Sequence, residues 1–270
     1  MAPSGGCWSG EETGLDKIGE HRGLRWARAA ASIAVMIGLW WAACASGVAN
    51  PALVPSPPEV AEAARELWDS GLLVSDLAVS LKRAAVGFGA GALLGVLAGL
   101  LTARTRVANT LLNPLLTFLR PIPAIALVPV AIVWFGIGEP SKYFVIAYTV
   151  FLAVWLNTHH GVSHVGETYI RASRSLGASR PREFFEVILP AAAPHVVGAL
   201  RIGAALAFLS LVAAELTGAS AGIGYRLQEA RQFMRTDRMF VGLIELGLLG
   251  ALLDTLFVAL GRRVIHWEQV

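Results

Sequence analysis

Five ionisable side chains sit inside otherwise apolar runs of this sequence: Arg120, Arg201, Glu215, Glu245 and Asp254. A charge in hydrocarbon costs a few kcal/mol on insertion scales, so such groups face a bundle interior or a water-filled cavity. Two readings stand side by side. Arg120 and Arg201 contact an anionic solute, or they pair with Glu215, Glu245 or Asp254 and serve packing. His159, His160 and His164 form a second cluster, with His160 and His164 four apart on one helical face. No carboxylate or cysteine is spaced to complete a metal site there, and interfacial histidines are the better reading. Cys7 and Cys44 lie far apart and build neither a disulfide framework nor a zinc cluster. No Ser-His-Asp or paired-carboxylate set can be assigned, and no G-x-x-x-x-G-K-[ST] segment occurs, so nucleotide binding by a Walker loop is excluded.

These charges need a lipid-embedded scaffold, and the composition supplies one. Of 270 residues 55% are hydrophobic, 28 more are Gly, and only 15% are charged; the mean hydropathy is +0.60. Soluble domains run at roughly 45–50% apolar with Gly included and about 25% charged, so the surplus must face lipid. A disordered chain, a secreted disulfide scaffold and an ordinary cytosolic enzyme are excluded. The net charge of +3 and pI near 9.1 do not mark a nucleic-acid groove, because the basic residues stand at the ends of apolar segments.

A crossing helix takes about 20 apolar residues. Residues 29–48, 84–102, 111–135, 143–157, 194–216 and 239–260 read as six spans, preceded by a polar tail over 1–28 that reads as disordered. With the N-terminus inside, inner segments hold twelve Lys and Arg and outer segments eight, which places both termini in the cytoplasm. The pair Pro121 and Pro123 predicts a kink in the third span. Gly87, Gly89, Gly91, Gly95 and Gly99 give the second span a small-residue face, for packing within the subunit or for a homodimer seam. Ser56-Pro57-Pro58-Glu59 reads as a helix start, followed by an amphipathic turn set Val60, Ala63, Ala64 and Leu67 on the outer surface.

The largest inner loop, residues 158–193, holds four Arg and three Glu. Residues 165–176 are helical in pattern, with Gly177 as a left-handed stop. Ser179 can cap a second helix, with Pro181 in its first turn, running to Val187 or Ile188 before Pro190. Small residues there permit close backbone approach to a soluble partner, and Arg171, Arg174, Arg180 and Arg182 supply charge.

The run Arg171-Ala172-Ser173-Arg174-Ser175-Leu176-Gly177-Ala178-Ser179, then Val187-Ile188-Leu189-Pro190, resembles the EAA loop of permease subunits in ABC importers. Gly177, Leu189, Pro190 and Ala172 match that pattern; Arg171, Ser173 and Val187 depart from it, Arg171 reversing a charge. From about residue 29 onward the chain is similar to the nitrate/sulfonate/taurine-type permeases. Leu53-Val54-Pro55-Ser56-Pro57, Leu119-Arg120-Pro121-Ile122-Pro123, Trp134-Phe135-Gly136-Ile137-Gly138-Glu139, Ala213-Ala214-Glu215-Leu216 and Gly222-Ile223-Gly224-Tyr225 carry the likeness. The resemblance implies an all-α, six-span inner-membrane permease of the type I importer kind, working as a homodimer. Its coupling loop, carried by Arg171, Ala172, Ser173, Gly177, Ala178, Val187, Leu189 and Pro190, would fit a cleft on each of two ABC ATPase subunits. ATP would be bound by those subunits, with no cofactor in this chain. An extracytoplasmic binding protein would deliver a small solute such as a sulfonate, taurine or nitrate. A stand-alone secondary transporter or channel is the rival; it explains the spans and charges and leaves the helix–Gly–helix loop without a purpose.

Overall fold

The computed structural model describes residues 14–264 apart from 49 and 51, which leaves Cys7 outside the described residues. Two compact units are present, one up to Ala61 and one from Glu62. The first holds α1 (Gly14–Ala45), which starts inside the segment expected to be a disordered tail, and the opening turn of α2 (Pro57–Asp69). The Ser56 N–H donates to Glu59 Oε2 at 2.7 Å, the reciprocal arm of a capping box. On α2 the residues Val60, Ala63 and Leu67 are buried, the stripe that its periodicity predicts.

The second unit is an all-helical bundle: α3 (Leu72–Arg104), α4 (Arg106–Leu119), α5 (Ala124–Phe135), α6 (Glu139–Ser163), α7 (Glu167–Ser175), α8 (Arg180–Glu183), α9 (Leu189–Gly218), α10 (Ile223–Gln232) and α11 (Thr236–Val264). Its axis is α6, which packs against α3, α5 and α9 and buries Val145, Ile146, Val150, Val154 and Trp155 completely. The glycine face of the second span belongs to this contact. A Cβ on Gly87, Gly91, Gly95 or Gly99 would come within 2.9 Å of an α6 atom, whereas Gly89 faces open space. The four-residue spacing is therefore an α3–α6 seam within the subunit. Outward, α3 shows Leu93 and Leu97 and α11 shows Leu248 and Leu252, apolar surface suited to lipid.

Several span boundaries move. The second span begins at Leu72, so Lys82 and Arg83, expected in an outer segment, are helical, and Arg83 is buried. The third is two helices, α4 and α5, bent by 103° between residues 119 and 124, a break rather than a kink. The fifth starts at Arg180, not at residue 194: α8, a π-turn over Phe184–Ile188 and α9 form one continuous helix of 39 residues, about 58 Å long at 1.5 Å per residue. Among the described residues, length and hydropathy alone mark three crossing helices, or four with the bent pair as one. The six segments map onto α1, α3, α4–α5, α6, α9 and α11. Of these, α6 falls short on hydropathy: packed against α3, α5 and α9 with no residue exposed between 141 and 159, it can carry Asn157, Thr158 and His159 where a lipid-facing helix would carry Leu.

Candidate functional site

The long loop folds as a helix, a left-handed turn and a second helix. α7 ends in a Schellman arrangement: the Ala178 N–H donates to Ser173 O and the Gly177 N–H to Arg174 O, both at 3.0 Å, with Gly177 at φ +82°. That conformation disfavours any side chain with a Cβ. Ser179 occupies the cap position of α8 by its carbonyl, which accepts the Glu183 N–H at 2.8 Å; its hydroxyl makes no cap bond. Pro190 does not end this helix, because the π-turn before it absorbs the missing N–H and the chain runs on into α9.

One carboxylate ties the loop together. Glu183 is buried, takes Arg174 Nε at 2.7 Å and takes Arg104 Nη2, from the end of α3, at 3.2 Å. The hydrogen bonds to Glu183 hold the Arg174 guanidinium more firmly protonated than usual. α7, α8 and the end of α3 thus share one charge cluster, which the sequence reading missed because Glu183 and Arg104 are 79 residues apart. Arg171, the charge-reversed position, pairs with Glu167 at 2.7 Å within its own helix, both side chains more than 70% exposed. Ser173 is buried and its hydroxyl donates to Ile170 O. Ala172 is exposed beside it, Ala178 is half-buried, Val187 on the π-turn and Leu189 on α9 are half-buried, and Tyr169, Leu176 and Phe185 stand exposed.

At the opposite end of the continuous helix lies a second polar cluster. Glu215 is 1% exposed and accepts from Arg83 Nη1 at 2.7 Å, from the Ser80 hydroxyl at 2.8 Å and from the Gly224 N–H at 2.8 Å. Arg83 also forks onto Glu139 at 2.6 and 2.8 Å and donates to Ala221 O. The Ile223 N–H donates to Ser80 Oγ and the Gly222 N–H to Asp76, which also takes Arg226 Nε. Three successive N–H groups at the start of α10 are satisfied, with Glu215 and Asp76 as anions at a helix N-terminus. A Cβ on Gly222 would lie 2.4 Å from Glu215 Oε1, which is why the Gly-Ile-Gly segment is needed. α3, α6, α9 and α10 are joined here.

The five flagged charges therefore separate. Glu215 does not pair with Arg120 or Arg201; its partner is Arg83. Arg201 forks onto Asp254 at 2.6 and 2.8 Å, the packing alternative. Glu245 is partly buried with Oε1 unpartnered. Arg120, at the end of α4, has no side-chain partner among the described residues and lines a cavity of about 350 Å³. His159 Nδ1 meets Thr102 Oγ1 at 2.9 Å and His164 Nδ1 meets His160 O at 2.7 Å; among the described residues no three His, Cys, Asp or Glu converge on a metal position.

The chain was then compared with known proteins. Residues 91–266 match the family described as binding-protein-dependent transport system inner membrane component. A probable ABC transporter permease of Brucella abortus is 40% identical over 238 residues, covering 88% of this chain and 94% of that one. The putative aliphatic sulfonates transport permease SsuC of Bacillus subtilis is 36% identical over 87% of this chain and 86% of its own length. The taurine transport permease TauC of Escherichia coli is 34% identical over 88% of each. Among solved structures, an amino acid ABC transporter aligns with TM-score 0.60 and 17% identity over 76% of this chain and 97% of that one, a likeness of fold.

Proposed function

This chain belongs to the binding-protein-dependent inner-membrane component family and is a membrane-embedded permease subunit of an ABC importer, and from that premise we propose how it works. Two copies form the pore, and each docks its α7–Gly177–α8 loop into a cleft on one of two separate ATPase subunits that bind and hydrolyse ATP. Both termini lie on the ATPase side, and an extracytoplasmic binding protein delivers a small anion of the sulfonate, taurine or nitrate kind to the other face. Two relatives are named for aliphatic sulfonate and taurine transport, which supports that class of cargo.

The observation that carries this reading is the unbroken helix from Arg180 to Gly218. It starts in the loop, beside Glu183, and ends three residues beyond Glu215. A rigid helix transmits a displacement at one end to the other, so ATPase motion felt by the loop reaches the Arg83–Glu215 cluster without an intervening hinge. The π-turn at Phe184–Ile188 lies where the loop meets the bundle, and Pro194 removes one further N–H from the ladder within α9. In the resting state the buried Arg83–Glu215 pair, with half-exposed Glu139 beside it, holds the far end shut, and its rearrangement opens the path to the binding protein.

Purification of the tagged chain from native membranes in mild detergent, after gentle crosslinking, tests the assembly. A co-purifying ATPase with a Walker motif in equal amount is the expected result. A clean homo-oligomer without one would return the stand-alone transporter.

A further inference from the structure

Arg83, Arg120 and Arg201 stand in three of the segments read as spans, and their partners differ. Arg83 is neutralised by Glu139 and Glu215, and Arg201 by Asp254. Arg120 has neither a carboxylate nor a side-chain hydrogen bond among the described residues. It stands where the third span breaks by 103°, and interrupted helices with irregular backbone at membrane depth are tolerated where they line a cavity. The cavity is there: about 350 Å³, walled by Arg120, by Tyr148, Thr149 and Asn157 of α6, and by Ile202 and Leu206 of α9. Tyr148 and Thr149 fall near the middle of α6, and Ile202 and Leu206 near the middle of α9. α5 begins in the same wall with Ala124, presenting the positive end of a helix.

The neutral polar side chains of the lining each donate into the protein. The Tyr148 hydroxyl donates to Leu119 O at 2.7 Å, the Thr149 hydroxyl to Val145 O at 3.0 Å, and Asn157 Nδ2 to Ala153 O at 2.8 Å. The Arg120 guanidinium, with five N–H donors, is the one charged group of the lining and remains for a ligand, beside the Asn157 amide oxygen. Eight of the twelve lining residues are apolar and none carries a carboxylate. Resting on the importer reading above, we infer that this cavity is the transit site of the permease and that it selects an organic monoanion without an ammonium group. The anionic head is held by the Arg120 fork and the organic body lies against Ile202, Leu206 and their apolar neighbours. A zwitterion of the same length would leave its cation unpaired against an apolar wall, which is costly. A bare inorganic anion would gain nothing from that wall.

The test uses the complete permease–ATPase complex, free of binding protein and nucleotide, with propane-1-sulfonate, taurine and nitrate as probes of one charge pattern each. Propanesulfonate and taurine have the same chain length and differ by a methyl against an ammonium group. Saturable binding of propanesulfonate is expected, with taurine and nitrate each weaker by about tenfold or more. Arg120→Gln should weaken propanesulfonate by at least that factor. Arg120→Lys should retain part of the affinity, and Arg201→Gln should leave it within about twofold, since that charge is already paired; both keep the result readable if one variant folds badly. Binding that survives Arg120→Gln, or no binding by the wild type, would overturn the site, and taurine or nitrate binding as tight as propanesulfonate would overturn the selectivity. ATP-driven uptake by the same wild-type complex with its binding protein reports separately on the importer reading, because its loss would sink that reading whatever the binding data show.

Discussion

The two ends of the long helix are held by arginine–carboxylate clusters of opposite character. At the Glu215 end, Arg83 and Glu215 are almost fully buried, with side-chain exposures of 3% and 0%, and both carboxylate oxygens and three backbone N–H groups find partners. At the Glu183 end only the carboxylate is buried; Arg174 is 63% and Arg104 33% exposed. A buried charge with all partners in place has few alternative arrangements, because removing any one leaves the others unpaired in a low dielectric. A buried anion gripped by solvent-facing guanidiniums can exchange them for water or for a partner's groups at little cost. The difference teaches that the far end is built to hold one state and the loop end is built to be moved.

Removing Glu215 should break the comparison hardest. Glu215→Ala takes from Arg83 its buried carboxylate and leaves the Gly224 N–H and the Ser80 hydroxyl without their acceptor, and a loss of about 3–5 kcal/mol is expected, read as collapse of the thermal unfolding midpoint in detergent. If the variant unfolds with the wild type, the cluster is not a lock. Next comes Gly177→Val: a β-branched residue at φ +82° costs roughly 1–2 kcal/mol locally. The expected outcome is a membrane-inserted permease whose complex hydrolyses ATP but fails to import; unaltered transport would remove the loop's coupling role. Glu183→Gln should act more gently, releasing α7 from α8 and α3 while the spans stay folded, visible as faster amide exchange over Glu167–Ser175 with no change around Glu215. Exchange that stays slow would make the Glu183 cluster as rigid as the other. Arg171→Ala should be the smallest: an exposed pair within one helix is worth about 0.3–0.5 kcal/mol, so stability should hardly move. A large drop in ATPase affinity on that change would show that Arg171 faces the partner as well as Glu167.

Local chemistry was legible in advance. The helix start at Ser56 and Glu59, the stripe on α2 and the stop at Gly177 each depend on residues a few positions apart, and each stands where the pattern puts it; Pro121 and Pro123 marked the place of a kink, which the structure makes a 103° break. The glycine face of α3 was visible as a face, yet its partner was not, because small residues pack equally well on α6 or on a second copy. Arg83 was misplaced in an outer segment for a similar reason. A hydropathy window scores a charge against lipid and cannot see that Glu139, Glu215 and the Ala221 carbonyl solvate it. The boundary at residue 194 moves because Pro190 reads locally as a terminator, whereas the π-turn before it lets the helix pass.

The sequence by itself determined that this chain lives in a membrane, that it is helical, and that it carries a helix–Gly–helix loop of the importer kind, because hydropathy, periodicity and backbone constraint are properties of neighbouring residues. Only the tertiary structure decided which charges are neutralised. Arg83 finds Glu215 across 132 residues and Arg201 finds Asp254 across 53, while Arg120 is left facing a cavity. Pairing depends on which helix faces meet, and nothing in a one-dimensional pattern specifies how long helices rotate against one another in the bundle.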